Sequence, residues 1–249
     1  MKKNVYVIGG SGLIGKSLVD QLTENYNVII LDKSKGKYLK NRFVFFDCTK
    51  LSSANDKLKK IFLKNGFPDL MVNCSYPVTK DWTNNSFEKI KYNSFKKNIE
   101  MQLNSYCWIA KIFADQMKKK KSGSIVLLSS IYGVLGQNFN NYKKTKMKFN
   151  MTYPIIKSGI IGFVKQSASY YGNKNIRINS VSPGAIKGHV KGGKKDQDIN
   201  FIKNFSSRVP LKRLAQVHEV AKVVEFLLTD SASYISGQNI LVDGGYTAV

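Results

Sequence analysis

The sequence has 249 residues, enough to bury one large core, and carries a formal net charge of +24. Its 40 basic residues include only four arginines, and the 36 lysines are spread along the whole chain. Because nucleic-acid readers depend on arginine for bidentate contacts, this lysine excess argues against a nucleic-acid partner.

The cysteines and histidines indicate a protein of a reducing compartment that has no metal site. The three cysteines, Cys48, Cys74 and Cys107, are odd in number and form no C-x-x-C motif, so we expect no disulfide framework and no zinc site. The two histidines, His189 and His218, have no carboxylate or cysteine cluster at metal spacing. The first apolar run is broken by glycines and no later run reaches membrane-spanning length, so we expect a cytoplasmic protein without a membrane partner.

The first predicted strand, residues 5–8, opens into a glycine-rich turn, Gly9-Gly10-Ser11-Gly12-Leu13-Ile14-Gly15, followed by a helical pattern. A strand that ends in glycines and opens a helix can place a pyrophosphate on backbone N–H groups at the positive end of the helix dipole. The second predicted strand, residues 28–31, ends at Asp32, whose carboxylate would hydrogen-bond the adenosine ribose hydroxyls. Together these features predict a dinucleotide site.

Asp32 also indicates which dinucleotide is bound. A carboxylate repels the 2′-phosphate of NADP, so NAD is favoured. Lys33 and Lys35 follow immediately and soften that preference.

The rest of the chain alternates strands and helices, which predicts one α/β domain over residues 1–249. The further predicted strands are residues 43–46, 69–73, 124–130, 176–181 and 239–242. The further predicted helices include one long helix within residues 87–117, ending at the lysine run 118–121, and one over residues 217–228.

Tyr153 and Lys157 lie four positions apart and therefore share one helix face. The ammonium is expected to lower the pKa of the phenol by stabilising the phenolate, which makes Tyr153 a candidate general acid/base. Pro154 fits the first turn of a helix if Thr152 or a nearby residue caps it. Ser130, at the carboxyl end of a predicted strand, is placed to hydrogen-bond a substrate oxygen.

From Val5 to Tyr246 this ordered set of motifs resembles the short-chain dehydrogenase/reductase family. The resemblance includes the glycine turn, the Tyr-x-x-x-Lys pair, the strand-end serine, the run Asn179–Gly184 and the Ser-Gly-Gln…Val-Asp-Gly-Gly ending. It implies a doubly wound Rossmann fold with about seven parallel strands flanked by helices on both faces. It also implies a nicotinamide cofactor and a homotetramer or homodimer.

The resemblance assigns roles residue by residue. Tyr153 would transfer the proton, Ser130 would orient the substrate, and Lys157 would bind the nicotinamide ribose and lower the pKa of Tyr153. Gln102 would serve the proton relay where the family usually has Asn. The implied cofactor contacts are Gly9, Ser11, Gly12, Leu13, Ile14, Gly15, Asp32, Asp47, Cys48, Asn73, Cys74, Ser75, Tyr153, Lys157, Pro183, Gly184 and Ile186.

Three departures from the family pattern surround this site. Leu13 replaces the common middle glycine of the turn. Tyr76 stands where the family has the glycine of Asn-Asn-Ala-Gly, and we expect its ring to reach into the cleft. Gly188 replaces a frequent threonine, which removes one hydrogen bond to the cofactor and puts the order of the loop in question.

The segment between Ser130 and Tyr153 is longer than the family usually has, and we call its extra part, residues 137–152, the insert. The insert must lie beside the active site because both its ends do. With the substrate loop, residues 187–205, it predicts a basic mouth for an anionic substrate. The lysines and histidine concerned are Lys143, Lys144, Lys146, Lys148, Lys187, His189, Lys191, Lys194 and Lys195.

The resemblance thus implies reversible hydride transfer between NAD(H) and a secondary alcohol or ketone. The long insert is similar to that of flagellin-modification and surface-polysaccharide dehydrogenases, which favours a phosphorylated or nucleotide-linked sugar. A 3-oxoacyl-(acyl-carrier-protein) reductase would suit the basic surface but mostly prefers NADPH, against Asp32. A non-catalytic dinucleotide-binding regulator is the third reading, and the intact Ser130, Tyr153 and Lys157 argue against it.

Overall fold

The computed structural model describes residues 2–36, 42–188 and 197–249, and its centre is a sheet of seven strands in the order β3-β2-β1-β4-β5-β6-β7. The strands are β1 (Asn4–Ile8), β2 (Asn27–Asp32), β3 (Phe43–Phe45), β4 (Leu70–Asn73), β5 (Gly123–Leu128), β6 (Ile176–Pro183) and β7 (Asn239–Val242). Every neighbouring pair is parallel. The predicted seven-stranded doubly wound sheet is confirmed.

Helices cover both faces of this sheet. They are α1 (Leu13–Leu22), α2 (Ala54–Asn65), α3 (Tyr92–Asn98), α4 (Ser105–Lys120), α5 (Thr152–Tyr171), α6 (Ile199–Arg208) and α7 (Val217–Leu228). One buried cluster joins the sheet to α2, α4 and α5, and a second joins the opposite face to α1 and α7. In the part of the chain that the structure describes, no helix is long and apolar enough to cross a membrane.

The first strand shows why the sheet is buried on both sides. Successive side chains of a strand point to opposite faces, so a strand covered on both faces is continuously apolar. In β1, Tyr6 and Ile8 enter the cluster with α2, α4 and α5, whereas Val5 and Val7 enter the cluster with α1 and α7. The apolar runs therefore place the loops that follow them at one edge of the sheet.

The long helix predicted within residues 87–117 is interrupted. Between α3 and α4 the segment Ile99–Asn104 is π-helical, and it carries Gln102, which is 2 % exposed. Such π-turns accommodate an extra residue inside a helix and are frequent at functional sites. The lysine run stands at the helix end, as expected, and Lys121 closes it in the left-handed conformation with φ of 51°.

Candidate active site

A cleft of about 670 Å³ lies beyond the carboxyl ends of the strands. Ligands bind in this place in open α/β sheets. The structure brings most of the predicted residues into its lining. These are Gly9, Ser11, Gly12, Leu13, Ile14, Asp32, Cys48, Cys74, Ser75, Ser130, Tyr153, Lys157, Pro183, Gly184 and Ile186.

Four predicted site residues are not part of the lining: Gly15, Asp47, Asn73 and Gln102. A Cβ on Gly15 would come within 2.2 Å of Gly9 O, so this glycine lets α1 approach the turn. Asn73 is fully buried, and its Oδ1 accepts hydrogen bonds from the N and Oγ atoms of Ser75 at 3.1 and 2.7 Å. Gln102 Nε2 is buried without a hydrogen-bond partner among the described residues.

The glycine turn has the geometry of an anion cradle. Gly9 adopts φ of +79°, and a Cβ there would fall 2.6 Å from Ser75 Cα, so only glycine fits. Helix α1 begins after Gly12 without a side-chain cap. The first N–H groups of a helix have no partner within it, so an uncapped helix start suits the pyrophosphate of a dinucleotide.

Asp32 joins the end of β2 to this turn. Its carboxylate accepts hydrogen bonds from Ser11 N at 2.9 Å and from Lys33 N at 2.6 Å. The Lys33 ammonium lies 3.1 Å from the Asp47 carboxylate. Burial raises the pKa of Asp47, but hydrogen bonds from Thr49 and the pairing with Lys33 outweigh burial and leave that pKa lowered. Lys33 is thus held at Asp47.

Ser130 and Tyr153 meet inside the cleft. Ser130 follows β5 and caps the short turn Ile131–Gly133, its Oγ accepting from Tyr132 N at 3.2 Å. Burial raises the pKa of Tyr153, and a hydrogen bond with Ser130 lowers it only in part. The net direction is the reverse of the expected one, so the prediction of a lowered phenol pKa is wrong for this structure.

Lys157 explains the difference. Its side chain is 4 % exposed, and Nζ donates to Leu128 O at 3.0 Å and lies 5.6 Å from the centroid of the Tyr153 ring. Burial lowers the pKa of Lys157 to about 7. With its own charge penalised in this way, Lys157 does not offset the burial of the Tyr153 phenol, which is the largest cause of the raised Tyr153 pKa.

Aromatic rings enclose Tyr153. Its ring makes edge contacts with Tyr76, Trp82 and Tyr132 at centroid distances of 6.1, 6.3 and 6.3 Å. Tyr76 lines the cleft, which confirms that its ring reaches inside. Trp82 was not predicted, and no spacing in the sequence connects it with residue 153, because the fold alone brings the two together.

The insert packs against residues near this cleft. A short helical turn, Phe139–Tyr142, carries the fully buried Asn141, whose Nδ2 donates to Tyr246 OH at 2.9 Å. The Phe139 and Phe149 rings pack at 3.9 Å between centroids. These contacts fold the insert over the carboxyl edge of the sheet.

The cap of α5 comes from the insert. The expected cap is Thr152 or a nearby residue, and the structure shows that it is Asn150, whose Oδ1 accepts hydrogen bonds from Thr152 N and Tyr153 N, both at 3.0 Å. Sequence reasoning missed this residue. The signal was an asparagine directly before a helical pattern, with Pro154 in the first turn.

The predicted basic mouth is not formed by the described lysines. In the insert, Lys143, Lys144, Lys146 and Lys148 are exposed, and Met147 is the residue that lines the cleft. Lys187 is also exposed and outside the lining. The remaining members of the mouth, His189, Lys191, Lys194 and Lys195, lie outside the described residues.

The charged side chains of the described lining are Asp32, Lys33 and Lys157, all on the dinucleotide side or at the base of the cleft. Residues 2–36, 42–188 and 197–249 contain no group of three His, Cys, Asp or Glu side chains that could hold a metal ion.

Comparisons with known proteins agree with this geometry. A family model described as Enoyl-(Acyl carrier protein) reductase matches residues 31–247. Post-translational flagellin modification protein A of Campylobacter coli is 29 % identical, with 98 % of each chain covered. A 3-oxoacyl-(acyl-carrier-protein) reductase of Buchnera aphidicola is 32 % identical, covering 98 % of this chain and 97 % of its own.

A solved structure shares the whole fold. The short chain dehydrogenase from Leptospira borgpetersenii, crystallised with bound NAD+, is 30 % identical and superposes with a TM-score of 0.86. The match covers 99 % of this chain and 93 % of that one. From its sheet, its cleft and these matches over nearly its full length, the chain belongs to the short-chain dehydrogenase/reductase family of oxidoreductases.

Proposed function

We propose that the protein catalyses reversible hydride transfer between NAD(H) and a secondary alcohol or ketone. The observation that carries this proposal is the convergence of Ser130, Tyr153 and Lys157 in one cleft with the glycine turn. A binding module would have no use for a buried serine, tyrosine and lysine at one point beside the cofactor cradle.

In this proposal the residues act as follows. The Tyr153 phenol gives a proton to the substrate oxygen or takes one from it, and the Ser130 hydroxyl holds that oxygen. Lys157 binds the nicotinamide ribose. When bound, the nicotinamide ring supplies or accepts the hydride. Because burial raises the pKa of Tyr153, the phenol keeps its proton at neutral pH, which favours ketone reduction there and alcohol oxidation at higher pH.

The cofactor in this proposal is NAD rather than NADP. Asp32 lies at the end of β2, where the adenosine ribose hydroxyls bind in this fold. Lys33 is the nearest described cation in the cleft lining, and its ammonium is paired with Asp47. A 2′-phosphate would therefore meet a carboxylate first.

The substrate we propose is a sugar or a phosphorylated or nucleotide-linked sugar derivative of surface-glycan metabolism. The similarity to a flagellin modification protein supports this class. Tyr76 and Tyr132 line the cleft and make edge contacts with the Tyr153 ring, so the lining combines aromatic surface with phenol hydroxyl groups. These suit a ring that has apolar faces and hydroxyl edges. The described lining offers no cation beside Tyr76 and Tyr132 other than Lys157, so the phosphate of such a substrate would bind outside this lining.

A second candidate is a 3-oxoacyl-(acyl-carrier-protein) reductase. It is favoured by the relative of that description and by the net charge of +24, which suits an acidic protein partner. Asp32 argues against it if NADPH is the reductant.

The test is a turnover measurement with NADH and with NADPH on three sets of ketones: neutral sugars, phosphorylated or nucleotide-linked sugars, and 3-oxoacyl thioesters. We expect NADH-dependent reduction in a sugar set. Preferred reduction of the thioester by NADPH would establish the second candidate. Tight NAD binding without turnover on any set would establish a non-catalytic regulator.

The resemblance also supports three further proposals. Residues 1–249 act as one domain, the protein assembles as a homodimer or homotetramer, and it works in the cytoplasm. Light scattering of the purified protein measures the second of these, and a monomer would contradict it.

A further inference from the structure

Asn150 holds the backbone of the residue that the proposed function makes catalytic. Its Oδ1 accepts from Thr152 N and from Tyr153 N, both at 3.0 Å. Met151 already has helical dihedral angles (φ −60°, ψ −37°), so Thr152 N and Tyr153 N are the second and third N–H groups counted from it, and a side-chain oxygen that accepts from them is an N-terminal cap. Tyr153 therefore stands in a turn whose geometry is set from the insert.

The other backbone donors of this first turn are also accounted for. Met151 N donates to Asn85 O at 2.8 Å, and Pro154 has no N–H to satisfy. The first N–H groups of a helix have no acceptor within the helix. In this turn their acceptors are the backbone oxygen of Asn85 and the side-chain oxygen of Asn150. Asn150 supplies two of its three bonds.

The remaining groups of Asn150 reach two other segments. Nδ2 donates to Trp82 O at 3.1 Å, and the backbone N donates to Gln137 Oε1 at 2.9 Å. The Trp82 ring packs edge-on against the Tyr153 ring at 6.3 Å. One amide thus fixes both the backbone that carries the phenol and the backbone that carries the indole beside it.

The chain of contacts continues to the substrate side. Gln137 Nε2 donates to Tyr142 OH at 2.8 Å. The Tyr142 ring lies 6.0 Å from the ring of Phe201, which belongs to α6 and lines the cleft. The insert therefore connects a wall of the substrate cleft to the first turn of α5.

From these contacts we infer that Asn150 is a positioning residue that aligns the Tyr153 phenol with Ser130 and ties this alignment to the insert. The inference rests on the proposed function of Tyr153. Proton transfer depends steeply on alignment, so losing the cap should lower turnover and leave cofactor binding at the distant glycine turn unchanged.

The decisive variants are Asn150→Ala and Asn150→Ser. Alanine removes the acceptor from both helix N–H groups, and we expect kcat to fall about tenfold or more, because small displacements of a catalytic group are costly. The NADH dissociation constant, measured by fluorescence titration, should stay near the wild-type value. Serine restores the cap oxygen but not the bond to Trp82 O, and should recover most of the turnover.

A readout independent of activity follows from the two tryptophans of the chain. In a Trp108→Phe background the emission reports Trp82 alone. Both Asn150 variants lose the hydrogen bond to Trp82 O, so both should shift that emission. An unchanged emission would contradict the link between Asn150 and the indole.

The matched control is Asn138→Ala. Asn138 Oδ1 accepts from Asn140 N at 2.9 Å and caps the short turn of the insert rather than α5. Its loss should leave kcat near wild type. Equal losses in Asn138→Ala and Asn150→Ala, or full turnover in Asn150→Ala, would overturn the inference.

If Asn150→Ala does not fold by circular dichroism, Gln137→Leu replaces it. This variant removes the acceptor of Asn150 N and keeps the cap, so kcat should fall by a smaller factor with the NADH dissociation constant unchanged. Unchanged turnover would overturn the link to the insert. Failure of the proposed function is a different result, because wild-type protein would then show no turnover at all.

Discussion

Gly188 lies directly against the side chain of Leu13. A Cβ on Gly188 would fall 3.1 Å from Leu13 Cδ1, and the φ of Gly188 is +118°. Both positions depart from the family pattern, and their contact explains why the two departures occur together. The leucine in the glycine turn occupies the space that a side chain at residue 188 would need.

The first prediction is that these two positions are coupled. Gly188→Thr should destabilise the protein by about 1–3 kcal/mol, because it puts a β-branched residue at a positive φ and against Leu13. It should also weaken NADH binding, because the clash displaces Leu13 in the cofactor turn and keeps the new hydroxyl from its usual place at the cofactor. Leu13→Gly added to it should recover part of the loss, with a coupling of about 0.5–3 kcal/mol in a double-mutant cycle. Urea unfolding and NADH titration measure both effects. Strictly additive losses would show that the contact has no energetic weight.

The second prediction concerns the proton-transfer residue. Tyr153→Phe should lower kcat by about 10²–10⁴ because it removes the acid/base group and keeps the ring. NADH binding should be retained in a fluorescence titration. Tyr170→Phe, at a 62 % exposed tyrosine on the same helix, is the matched control and should keep wild-type turnover. Turnover at the wild-type level in Tyr153→Phe would remove that phenol from the chemistry.

The third prediction is a pH dependence of stability. The pKa of Lys157 is about 7 in the folded protein and 10.5 in the absence of burial. At pH values between about 7 and 10.5, Lys157 is protonated in the unfolded chain and deprotonated in the folded protein. Stability should therefore rise with pH across this window, by at most ~1.4 kcal/mol per pH unit.

Lys157→Met should remove this contribution, and its stabilising effect should be largest below about pH 7 and fade as the pH approaches 10.5. Urea unfolding of the cofactor-free protein at several pH values measures it. Lys165→Met, at an exposed lysine of α5, is the control and should leave the pH dependence as it is. The same slope in Lys157→Met and wild type would contradict the lowered pKa.

The fourth prediction concerns cofactor choice. Asp47→Asn should release the Lys33 ammonium, which then becomes available to a 2′-phosphate at the edge of the cleft. The pair is largely exposed on the lysine side and worth up to ~1 kcal/mol, so the preference for NADH over NADPH in kcat/KM should fall by about fivefold or less. Asp56→Asn, at an exposed aspartate in the first turn of α2, should leave the ratio unchanged. A preference unaffected by Asp47→Asn would show that Lys33 does not sense the cofactor.

Much of the fold was predictable because its signals are local. Continuous apolar runs mark strands buried on both faces, and the bounds of β7 and α7 agree with the predicted ones. The glycine turn, Asp32 and the pair Tyr153 and Lys157 are also read from near neighbours in the sequence, and all of these residues except Gly10 and Gly15 line the cleft.

The remainder depends on distances that the sequence does not contain. Trp82 contacts Tyr153 although the segments that carry them follow different strands, β4 and β5, and Leu13 contacts Gly188 although β1 and β6 precede them. The direction of the Tyr153 pKa shift depends first on how deeply the phenol itself is buried, and spacing along a helix does not give that depth. The lysines of the insert were expected to line the mouth of the cleft, but their side chains are exposed and do not belong to its lining.

The way the insert is fastened has a consequence for how the sequence can change over time. Lys143 and Lys144 contact α6 through their backbone carbonyl oxygens, which accept from Asn204 Nδ2 and Asn200 Nδ2, both at 2.8 Å. Any amino acid offers the same carbonyl. The exposed lysines of the insert can therefore be replaced without loss of these bonds. Selection acts instead on the few amide and phenol side chains whose hydrogen bonds hold the insert in place.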